Sequence, residues 1–429
     1  MGLDYDEIFA PVARYDSLRL LLAITACRKW RTRQLDVKTA FLYGVLKEVV
    51  YMQLPEGCRE DDKVALLKRC IYGLKQSSRE WYFRLVEFLL SFGFAISSFD
   101  PCVLVHSSGN LFLAVYVDDI SLFGDESEIM DQTISLLKTE FRVNDMGPLH
   151  WLLGIQIEYS QAGITLSQTA FIDKILNRFS MQDCNPVATP IDVNHRLMAA
   201  TDDIRVDATS YQQIIGSFMY LVTGTRPDLA YTITHLSQFN SDPSKAHMSA
   251  AKRVFRYLKG TRDHHLFFRY DSPLSLSGFC DASYGNCLDT RRSFSGYVFQ
   301  VGSCTVSWRS RKQRSVAAST CEAEYMALAL ATKHHLWIQR ALQELIPGNN
   351  FPSALSTDSA AAIDLANNPK VHDRSKHIDI QYHFTRERIK DGSLVLLHVP
   401  SSENLADICT KGLPRPSHDH LCTLITGAK

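Results

Sequence analysis

The stretch LFLAVYVDDISLFGD, residues 111–125, places two adjacent carboxylates in the middle of an apolar run. Residues that favour β-strands lie on both sides of Asp118 and Asp119. Burying one unpaired charge costs free energy, and burying two like charges side by side costs more. The stretch therefore predicts two strands whose carboxylates need a partner of opposite charge.

A hairpin turn is the local structure that suits Asp118 and Asp119. Neighbouring side chains of a regular strand point to opposite faces, but both can reach one site from a turn. A third carboxylate, Asp36, ends a separate predicted strand in LDVKTAF. Three carboxylates from two strand ends suit Mg²⁺, a hard cation that takes oxygen ligands. The alternative is an ordinary solvated turn, which the flanking apolar residues disfavour.

Size and composition indicate a folded protein of two or three domains. The 429 residues are too many for one ordinary core, and contents of 45% hydrophobic and 21% charged residues are typical of soluble globular proteins. Lys+Arg and Asp+Glu both number 46, which gives a formal net charge of zero. This balance argues mildly against a nucleic-acid binder, although an acidic metal site would cancel a basic groove in the total.

The spacing of the cysteines and the length of the apolar runs indicate the cellular compartment of the protein. The 11 cysteines include no CxxC pair, which excludes a ribbon-type zinc site and gives no sign of a disulfide framework. The run LRLLLAITAC is about half as long as a membrane span, and no secretion signal is visible. We therefore expect a reduced, intracellular, cytoplasmic protein without a membrane partner.

Element order along the chain predicts a mixture of α+β and α/β structure. Helical spacing is clear in SSREWYFRLVEFLL, and the segments around residues 111–125 and 151–167 are predicted to form hairpins. Residues 181–210 lose this periodicity and predict a linker. From about Pro273, the order strand, strand, helix, strand, helix predicts an α/β domain with a mixed sheet.

A second acidic set lies in this last part of the chain. Its members follow strands or lie on a helix and are Asp281, Glu324, Asp358 and Asp407. Glu322 and Glu324 are about 200° apart around a helix, so only one can face a shared site, and Glu324 borders the apolar stripe. Each acid alone is typical of a protein surface, and sequence spacing does not decide whether the four converge.

Two further patterns are weaker. The spacing of His372, His377 and His383 matches no known zinc pattern, which disfavours a metal site there. A basic cluster on a predicted helix indicates either a solvated helix face or phosphate contacts. Its members are Lys245, Lys252, Arg253, Arg256, Lys259 and Arg262.

The ordered motifs around these residues resemble the reverse transcriptase–ribonuclease H region of copia-type LTR retrotransposon polyproteins. The first group of motifs is LDVKTAFLYG, IYGLKQSSREWY, VYVDDI, LLGIQI and IGSFMYLVTGTRPDLAY. The second group is RYLKGT, SGYVF, STCEAEYMAL, STDSAAAI and SSENLADICTK. The resemblance runs over almost the whole chain and implies RNA-directed DNA polymerase and ribonuclease H activities.

The resemblance implies a right-hand polymerase followed by a ribonuclease H-like α/β domain. Partial fingers and palm would occupy residues 1–160, and the thumb and connecting region residues 161–270. The ribonuclease domain would occupy residues 271–415, before a tail at 416–429. The implied partners are an RNA template, a DNA primer, an RNA–DNA hybrid and deoxynucleoside triphosphates. An intact element would place the protein in a virus-like particle.

The resemblance also assigns roles to individual residues. The resemblance implies two active sites, each with two Mg²⁺ or Mn²⁺ ions. The ligands of the first site would be Asp36, Asp118 and Asp119. Those of the second site would be Asp281, Glu324, Asp358 and Asp407. Phe41, Tyr72 and Gly73 match positions beside the incoming nucleotide. Residues 151–157 resemble a hairpin that grips the primer, and the basic helix and residues 308–314 become candidate phosphate contacts.

Several features depart from the family pattern. The chain begins at MGLDYDE, without the basic strand pair that precedes this point in the family, and Val45 and Ser78 replace usual residues. The loop near His398 is too short for a mobile catalytic histidine, so no catalytic role is assigned to it. These features predict a truncated copy. They leave two alternatives open: a non-catalytic nucleic-acid-binding remnant, and a large α/β protein with surface acids.

Overall fold

The computed structural model describes residues 8–58, 63–125, 128–194, 197–199, 204–349, 351, 354–367 and 379–427. The chain divides into two units. The first comprises Met1–Leu21, Lys29–His150 and Glu344–Pro347, and the second comprises Leu22–Arg28, Trp151–Gln343 and Gly348–Lys429. Within the described ranges, no helix combines the length and apolar character that crossing a membrane requires.

Up to residue 150 the chain forms three helices and eight strands among the described residues. They are α1 Tyr15–Arg28, β1 Arg31–Val37, β2 Val45–Gln53, β3 Val64–Arg69, α2 Ser77–Leu90, β4 Phe94–Ile96, β5 Val103–His106, β6 Leu111–Tyr116, β7 Asp119–Gly124, α3 Glu128–Glu140 and β8 Val143–Asp145. Six strands make an antiparallel sheet in the order β4-β5-β6-β7-β1-β8, and β2 pairs with β3 separately. The predicted hairpins around residues 111–125 are confirmed as β5-β6-β7.

The core of the first unit packs α2 against one face of β6 and β7. Helix α2 contributes Trp81, Leu85 and Leu89 to a cluster that also contains Leu113 and Leu122 of these strands. The helical spacing of Trp81, Leu85 and Leu89 is thereby confirmed as a buried stripe. The two strands therefore fix the position of the turn that joins them, which holds Asp118.

From residue 151 the chain forms helices α4–α11 and strands β9–β17. They are β9 Trp151–Leu152, β10 Ile155–Tyr159, β11 Gly163–Ser167, α4 Thr169–Arg178, α5 Ala208–Gly224, α6 Ala230–Ser237, α7 Lys245–Gly260, β12 Leu266–Arg269, β13 Leu276–Ser283, β14 Phe294–Val301, β15 Cys304–Lys312, α8 Thr320–Leu345, β16 Ala354–Thr357, α9 Ala360–Asn367, α10 Asp379–Lys390, β17 Val395–His398 and α11 Arg415–Thr426. The hairpin predicted around residues 151–167 is confirmed as β9-β10-β11.

The second unit contains two sheets. Strands β12-β11-β10-β9 form a four-stranded sheet, and the order of the other is β15-β14-β13-β16-β17. In the five-stranded sheet β13, β14 and β15 are antiparallel, whereas β16 and β17 run parallel to β13. The predicted mixed α/β sheet is therefore confirmed. The finer boundaries at residues 160, 270 and 415 stay a prediction.

Three arginines of the basic cluster, two on helix α7 and one just beyond it, bind groups within the protein. Arg253 donates from Nε to the carbonyl oxygen of Thr189 at 3.2 Å, and Arg256 donates to that of Asn185 at 2.7 Å. Arg262, just beyond the helix, donates through Nε and Nη2 to the Asp173 carboxylate, both at 2.6 Å. These arginines therefore hold the linker and α4, and neither sequence-based interpretation of the cluster included that role.

A buried ion pair links α7 to the short 3₁₀ helix at residues 227–229. Arg226 and Asp228 are almost fully buried, and Nη2 of Arg226 lies 2.7 Å from Oδ2 of Asp228. The Tyr257 hydroxyl donates to the same carboxylate oxygen at 2.7 Å. Although burial alone would raise the pKa of Asp228, the charge and hydrogen bonds of Arg226 hold it well below the ordinary value. The pair thus remains ionised in a water-free site.

Replacing Arg226 with methionine would leave Asp228 buried without its partner. We expect Arg226→Met to lower the free energy of unfolding by about 3–5 kcal/mol, measured by urea denaturation. Arg205→Met is the matched control, because the Arg205–Asp242 pair is exposed on both sides and is expected to contribute less than about 1 kcal/mol. Equal losses in the two variants would contradict the assignment of Arg226–Asp228 as a buried charge pair.

Candidate active sites

The β-register places two members of the first acidic set opposite each other. Asp36 on β1 is the direct cross-strand partner of Asp119, the first residue of β7, and Tyr116 of β6 pairs with Asp119 from the other side. Val117 and Asp118 therefore form the two-residue turn between β6 and β7. The turn places Asp118 next to Asp119, but the three carboxylates do not form a group within 4.8 Å among the described residues, so their convergence on one ion stays a prediction.

The turn itself is held in an uncommon backbone conformation. Val117 has φ of 55°, a region that β-branched residues rarely adopt. The indole N–H of Trp81 donates to the Val117 carbonyl at 2.6 Å, and the Val37 N–H donates to the Asp118 carbonyl at 3.0 Å. These two bonds tie the turn to α2 and to β1, so the local strain is maintained by the surrounding structure.

One expectation about the first set is wrong. Asp118 is exposed, and Asp36 and Asp119 are only partly buried, so the adjacent carboxylates are not enclosed by the apolar strands. The turn projects Asp118 beyond the sheet, which periodicity alone did not indicate. Burial, followed by the charges of Asp118 and Asp36, raises the pKa of Asp119, and a hydrogen bond from Gln34 partly offsets this effect.

A cavity of about 360 Å³ adjoins the turn. Its lining residues are Thr39, Ala40, Phe41, Leu42, Ile71, Tyr72, Val117 and Asp118. The rings of Phe41 and Tyr72 lie with centroids 6.3 Å apart, and Tyr72 is 89% exposed. Two of the three residues predicted beside a nucleotide therefore share one apolar cavity with Asp118.

Gly73 contributes backbone conformation to this region. Its φ of +100° is strained for any side chain, while a Cβ at this position would meet nothing within 4 Å. The glycine therefore permits the turn after Tyr72, and it does not line the cavity. A direct contact between Gly73 and a nucleotide stays a prediction.

The second acidic set forms the tighter group. One carboxylate oxygen each from Asp281, Glu324 and Asp358 lie within 4.8 Å of one another, the single such group of three or more metal-ligating side chains among the described residues. Strand β13 supplies Asp281, helix α8 supplies Glu324, and Asp358 follows β16. Glu324 accepts from the Ala282 N–H at 3.0 Å, so Glu324 faces the group, whereas Glu322 accepts from Ala318.

Asp407 lies next to this group without joining it. The residue is 6% exposed in the 3₁₀ segment Leu405–Cys409, and its Oδ2 is 2.9 Å from Nζ of Lys411. The same ammonium lies 3.7 Å from Oδ2 of Asp281. Oδ1 of Asp407 is buried without a hydrogen-bond partner. Three of the four predicted acids thus converge, and the fourth is paired with a lysine.

The carboxyl groups of the second site lie close together and are largely buried, which raises their pKa values. Burial, with the nearby charges of Asp281 and Asp358, raises the pKa of Glu324 to about 9. Burial and the charge of Asp281 raise the pKa of Asp407 to about 7 despite Lys411. Buried carboxylates with an unpartnered oxygen fit a hard divalent cation, because such a cation restores the charge balance that water cannot supply.

Three further positions shape this site and were not identified from the sequence. Gly296 on β14 pairs in register with Asp281, and a Cβ there would approach side-chain atoms of Cys409 and Thr410 to 2.7 Å. Asn404 Nδ2 donates to the Cys280 carbonyl at 3.1 Å, which anchors the same segment. Lys411 follows Asp407 by four residues within SSENLADICTK, and this spacing was the available signal.

The predicted histidines cannot be placed in a site. His372 and His377 lie outside the residues that the structure describes, and the side chain of His383 is likewise not described. Nε2 of His398 donates to the Asp358 backbone carbonyl at 3.2 Å. That contact supports the loop that carries Asp358.

Comparison with known proteins identifies the family. The family described as Reverse transcriptase (RNA-dependent DNA polymerase) matches residues 1–193. The Retrovirus-related Pol polyprotein from transposon RE1 of Arabidopsis thaliana is 38% identical over 99% of this chain, and the putative transposon Ty5-1 protein YCL074W of Saccharomyces cerevisiae is 33% identical over 68% of this chain and 97% of its own length. The chain belongs to the copia-type retrotransposon Pol polyproteins. The resemblance carried by the ordered motifs is thereby confirmed.

The similarities to known proteins differ in how much of each protein they cover. The chain spans 29% of the length of the RE1 polyprotein. A crystal structure of LC11-RNase H1 in complex with RNA/DNA hybrid is similar to 32% of this chain and 94% of that chain, with 16% identity and a TM-score of 0.24.

The raised pKa values predict how metal-free stability depends on pH. Glu324 and Asp407 hold protons in the folded state that the unfolded chain releases near pH 4. Stability should therefore fall as pH rises from about 4 through about 7 and 9, by about 1.4 kcal/mol for each unit of pKa shift realised. Urea denaturation in EDTA measures this fall.

Glu324→Gln separates the two contributions. Because the amide does not ionise, we expect the stability curve of this variant to flatten between pH 7 and 9, while the fall that belongs to Asp407 remains. Added Mg²⁺ should flatten the curve of the unmodified protein, since the cation favours the ionised carboxylates. An identical slope in both proteins between pH 7 and 9 would contradict the raised pKa of Glu324.

Proposed function

We propose that this chain is an RNA-directed DNA polymerase with RNA–DNA hybrid ribonuclease H activity, built from two acidic sites. The observation that carries the proposal is the convergence of Asp281, Glu324 and Asp358 within 4.8 Å inside a mixed five-stranded sheet, in a chain of this family. The proposal includes the finer architecture: partial fingers and palm, thumb and connecting region, and a ribonuclease H-like domain at residues 271–415.

In the proposed polymerase site, Asp36, Asp118 and Asp119 would hold two Mg²⁺ or Mn²⁺ ions. Such ions supply Lewis-acid stabilisation of an in-line displacement and lower the pKa of an attacking hydroxyl. The exposed position of Asp118 suits contact with a triphosphate and a primer end. The apolar cavity bounded by Phe41 and Tyr72 is of a kind that accepts the sugar and base of a deoxynucleoside triphosphate.

The two acids of the turn should differ in importance. Asp118 reaches furthest from the sheet, whereas Asp119 is paired with Asp36 across the strands and hydrogen-bonded to Gln34. We expect Asp118→Asn to abolish primer extension on an RNA template and Asp119→Asn to reduce it less. Asp125→Asn, at the far end of β7, is the control and should leave extension unchanged. Equal losses at Asp118 and Asp119 would contradict this division.

In the proposed ribonuclease site, Asp281, Glu324 and Asp358 would hold divalent cations, with Asp407 as the fourth ligand. These ions would activate a water molecule and stabilise the leaving oxygen. The protein's own part is to keep the acids close: Ala282 donates to Glu324, and Ser401 donates to Oδ2 of Asp358 at 2.5 Å. These two hydrogen bonds, one from the backbone and one from a side chain, therefore preorganise the group for a cation.

Purified protein with Mg²⁺ and a labelled RNA–DNA hybrid tests this activity. We expect cleavage of the RNA strand that falls by at least about a hundredfold in Asp358→Asn, because removing one charged ligand weakens metal binding. Asp364→Asn, on the exposed side of α9, is the matched control and should cleave normally. Absence of cleavage, with binding that weakens steeply with salt, would favour the alternative of a non-catalytic nucleic-acid-binding remnant.

The remaining expectations belong to the same proposal. The RNA template, DNA primer and RNA–DNA hybrid would contact phosphate-binding cations such as Arg309 and Arg314, which are exposed at and beyond the end of β15. The β9-β10 turn would lie against the primer. Residence in the cytoplasm, and in a virus-like particle for an intact element, is proposed on the family alone.

A further inference from the structure

Lys411 occupies a position between two carboxylates that the ribonuclease proposal assigns to cations. Its Nζ lies 2.9 Å from Oδ2 of Asp407 and 3.7 Å from Oδ2 of Asp281. The Lys411 side chain is 36% exposed, whereas those of Asp281 and Asp407 are 2% and 8% exposed. The ammonium is therefore the one cation found in direct contact with this acidic group in the described part of the chain.

The Lys411 ammonium also has a neighbouring cavity into which it can move. A cavity of about 400 Å³ lies beside Lys411 and is lined on its polar side by Ser283, Asn286, Asp192 and Arg291. A lysine side chain has four rotatable bonds, so Nζ can move into this space while the backbone stays in place. On departure, both oxygens of Asp407 become available, including Oδ1, which has no hydrogen-bond partner.

We propose that Lys411 is a positioning residue that makes the two cation positions unequal. The inference rests on the proposed ribonuclease function and extends it. A first divalent cation binds Asp281, Glu324 and Asp358 while Lys411 remains on Asp407. A second cation binds between Asp281 and Asp407 only after the Lys411 ammonium has moved into the neighbouring cavity, so the two ions bind in sequence and with different affinities.

The physical reason is competition between two positive charges for the same oxygens. The ammonium neutralises Asp407 in the metal-free protein, where a carboxylate would otherwise be buried without a counter-charge. A second cation must break this ion pair and must also tolerate the displaced ammonium nearby. Both effects weaken the second binding step, by about tenfold for each 1.4 kcal/mol of cost.

The test measures metal binding rather than catalysis. The full chain carries Asp36→Asn and Asp118→Asn, so that the first acidic set no longer contributes. Calorimetric titration with Mg²⁺, and counting of bound Mn²⁺ by electron paramagnetic resonance, then report the steps at the second set. We expect two steps, with the second at least about tenfold weaker than the first.

Substitution of Lys411 should change the second step selectively. Lys411→Met removes the charge and keeps a side chain of similar length, and we expect the ratio of the two dissociation constants to shrink about tenfold. Lys411→Arg keeps the charge and should preserve unequal binding. Lys390→Met, at the exposed end of α10, is the control and should leave both steps unchanged.

Asp407→Asn provides a second variant that tests the proposal in case Lys411→Met does not fold. This substitution removes the ligand that Lys411 covers, so the first step should remain and the second should be lost; thermal unfolding in EDTA verifies that each variant is folded. Two equal steps in the unmodified site, an unchanged ratio in Lys411→Met, or a second step that survives Asp407→Asn would overturn the role of Lys411.

A different set of results would contradict the proposed ribonuclease function. If the starting protein and its Glu324→Gln variant show the same absence of Mg²⁺ binding, the second set is not a metal site and both proposals fall. If two steps and hybrid cleavage are present but the ratio of dissociation constants does not depend on Lys411, only the role of Lys411 is overturned.

Discussion

The second unit is organised around the burial of like charges. Asp281 and Glu324 are brought together from β13 and α8 in a place that water hardly reaches, and Asp407 lies beside them. Such a group is unfavourable unless protons, a lysine or metal ions balance it. Three neighbouring groups partly offset the negative charge. The Ala282 N–H donates to Glu324, and the Thr410 hydroxyl donates to Asp281. The Lys411 ammonium pairs with Asp407.

The two acidic sites of this copia-type chain solve the same problem differently. In the first, a strained turn at Val117 lifts Asp118 out of the sheet, so that its charge remains in water. In the second, Asp281, Glu324 and Asp407 stay buried while Asp358 is partly exposed, and Gly296 allows the segment with Asp407 and Lys411 to approach β13. The first arrangement borders an open apolar cavity, whereas the second holds Asp281 and Glu324 in the protein interior.

Much of this arrangement could be predicted from the sequence, because it follows from local patterns. Alternation and turn residues indicated the hairpin at Asp118, and element order indicated the mixed sheet that holds Asp281. The position of Glu324 rather than Glu322 followed from helix geometry. Ordered motifs indicated the family, although no single motif would have been sufficient.

What could not be predicted depends on contacts between distant residues. Apolar neighbours suggested a buried Asp118, since periodicity does not show how far a turn projects beyond its sheet. The basic residues of α7 suggested phosphate contacts, but Arg253 and Arg256 bind carbonyls of a linker more than 60 residues away in sequence. Likewise, Lys411 pairs with Asp281, which lies 130 positions earlier in the sequence (411 − 281).

Diffraction from crystals soaked in Mn²⁺ tests the central idea most directly, because anomalous scattering locates the ion without reference to activity. The structure predicts an anomalous peak among the carboxylates of Asp281, Glu324 and Asp358, within coordination distance of their oxygens. A fully soaked crystal with no peak at these three side chains, or with Mn²⁺ bound only elsewhere on the surface, would contradict it.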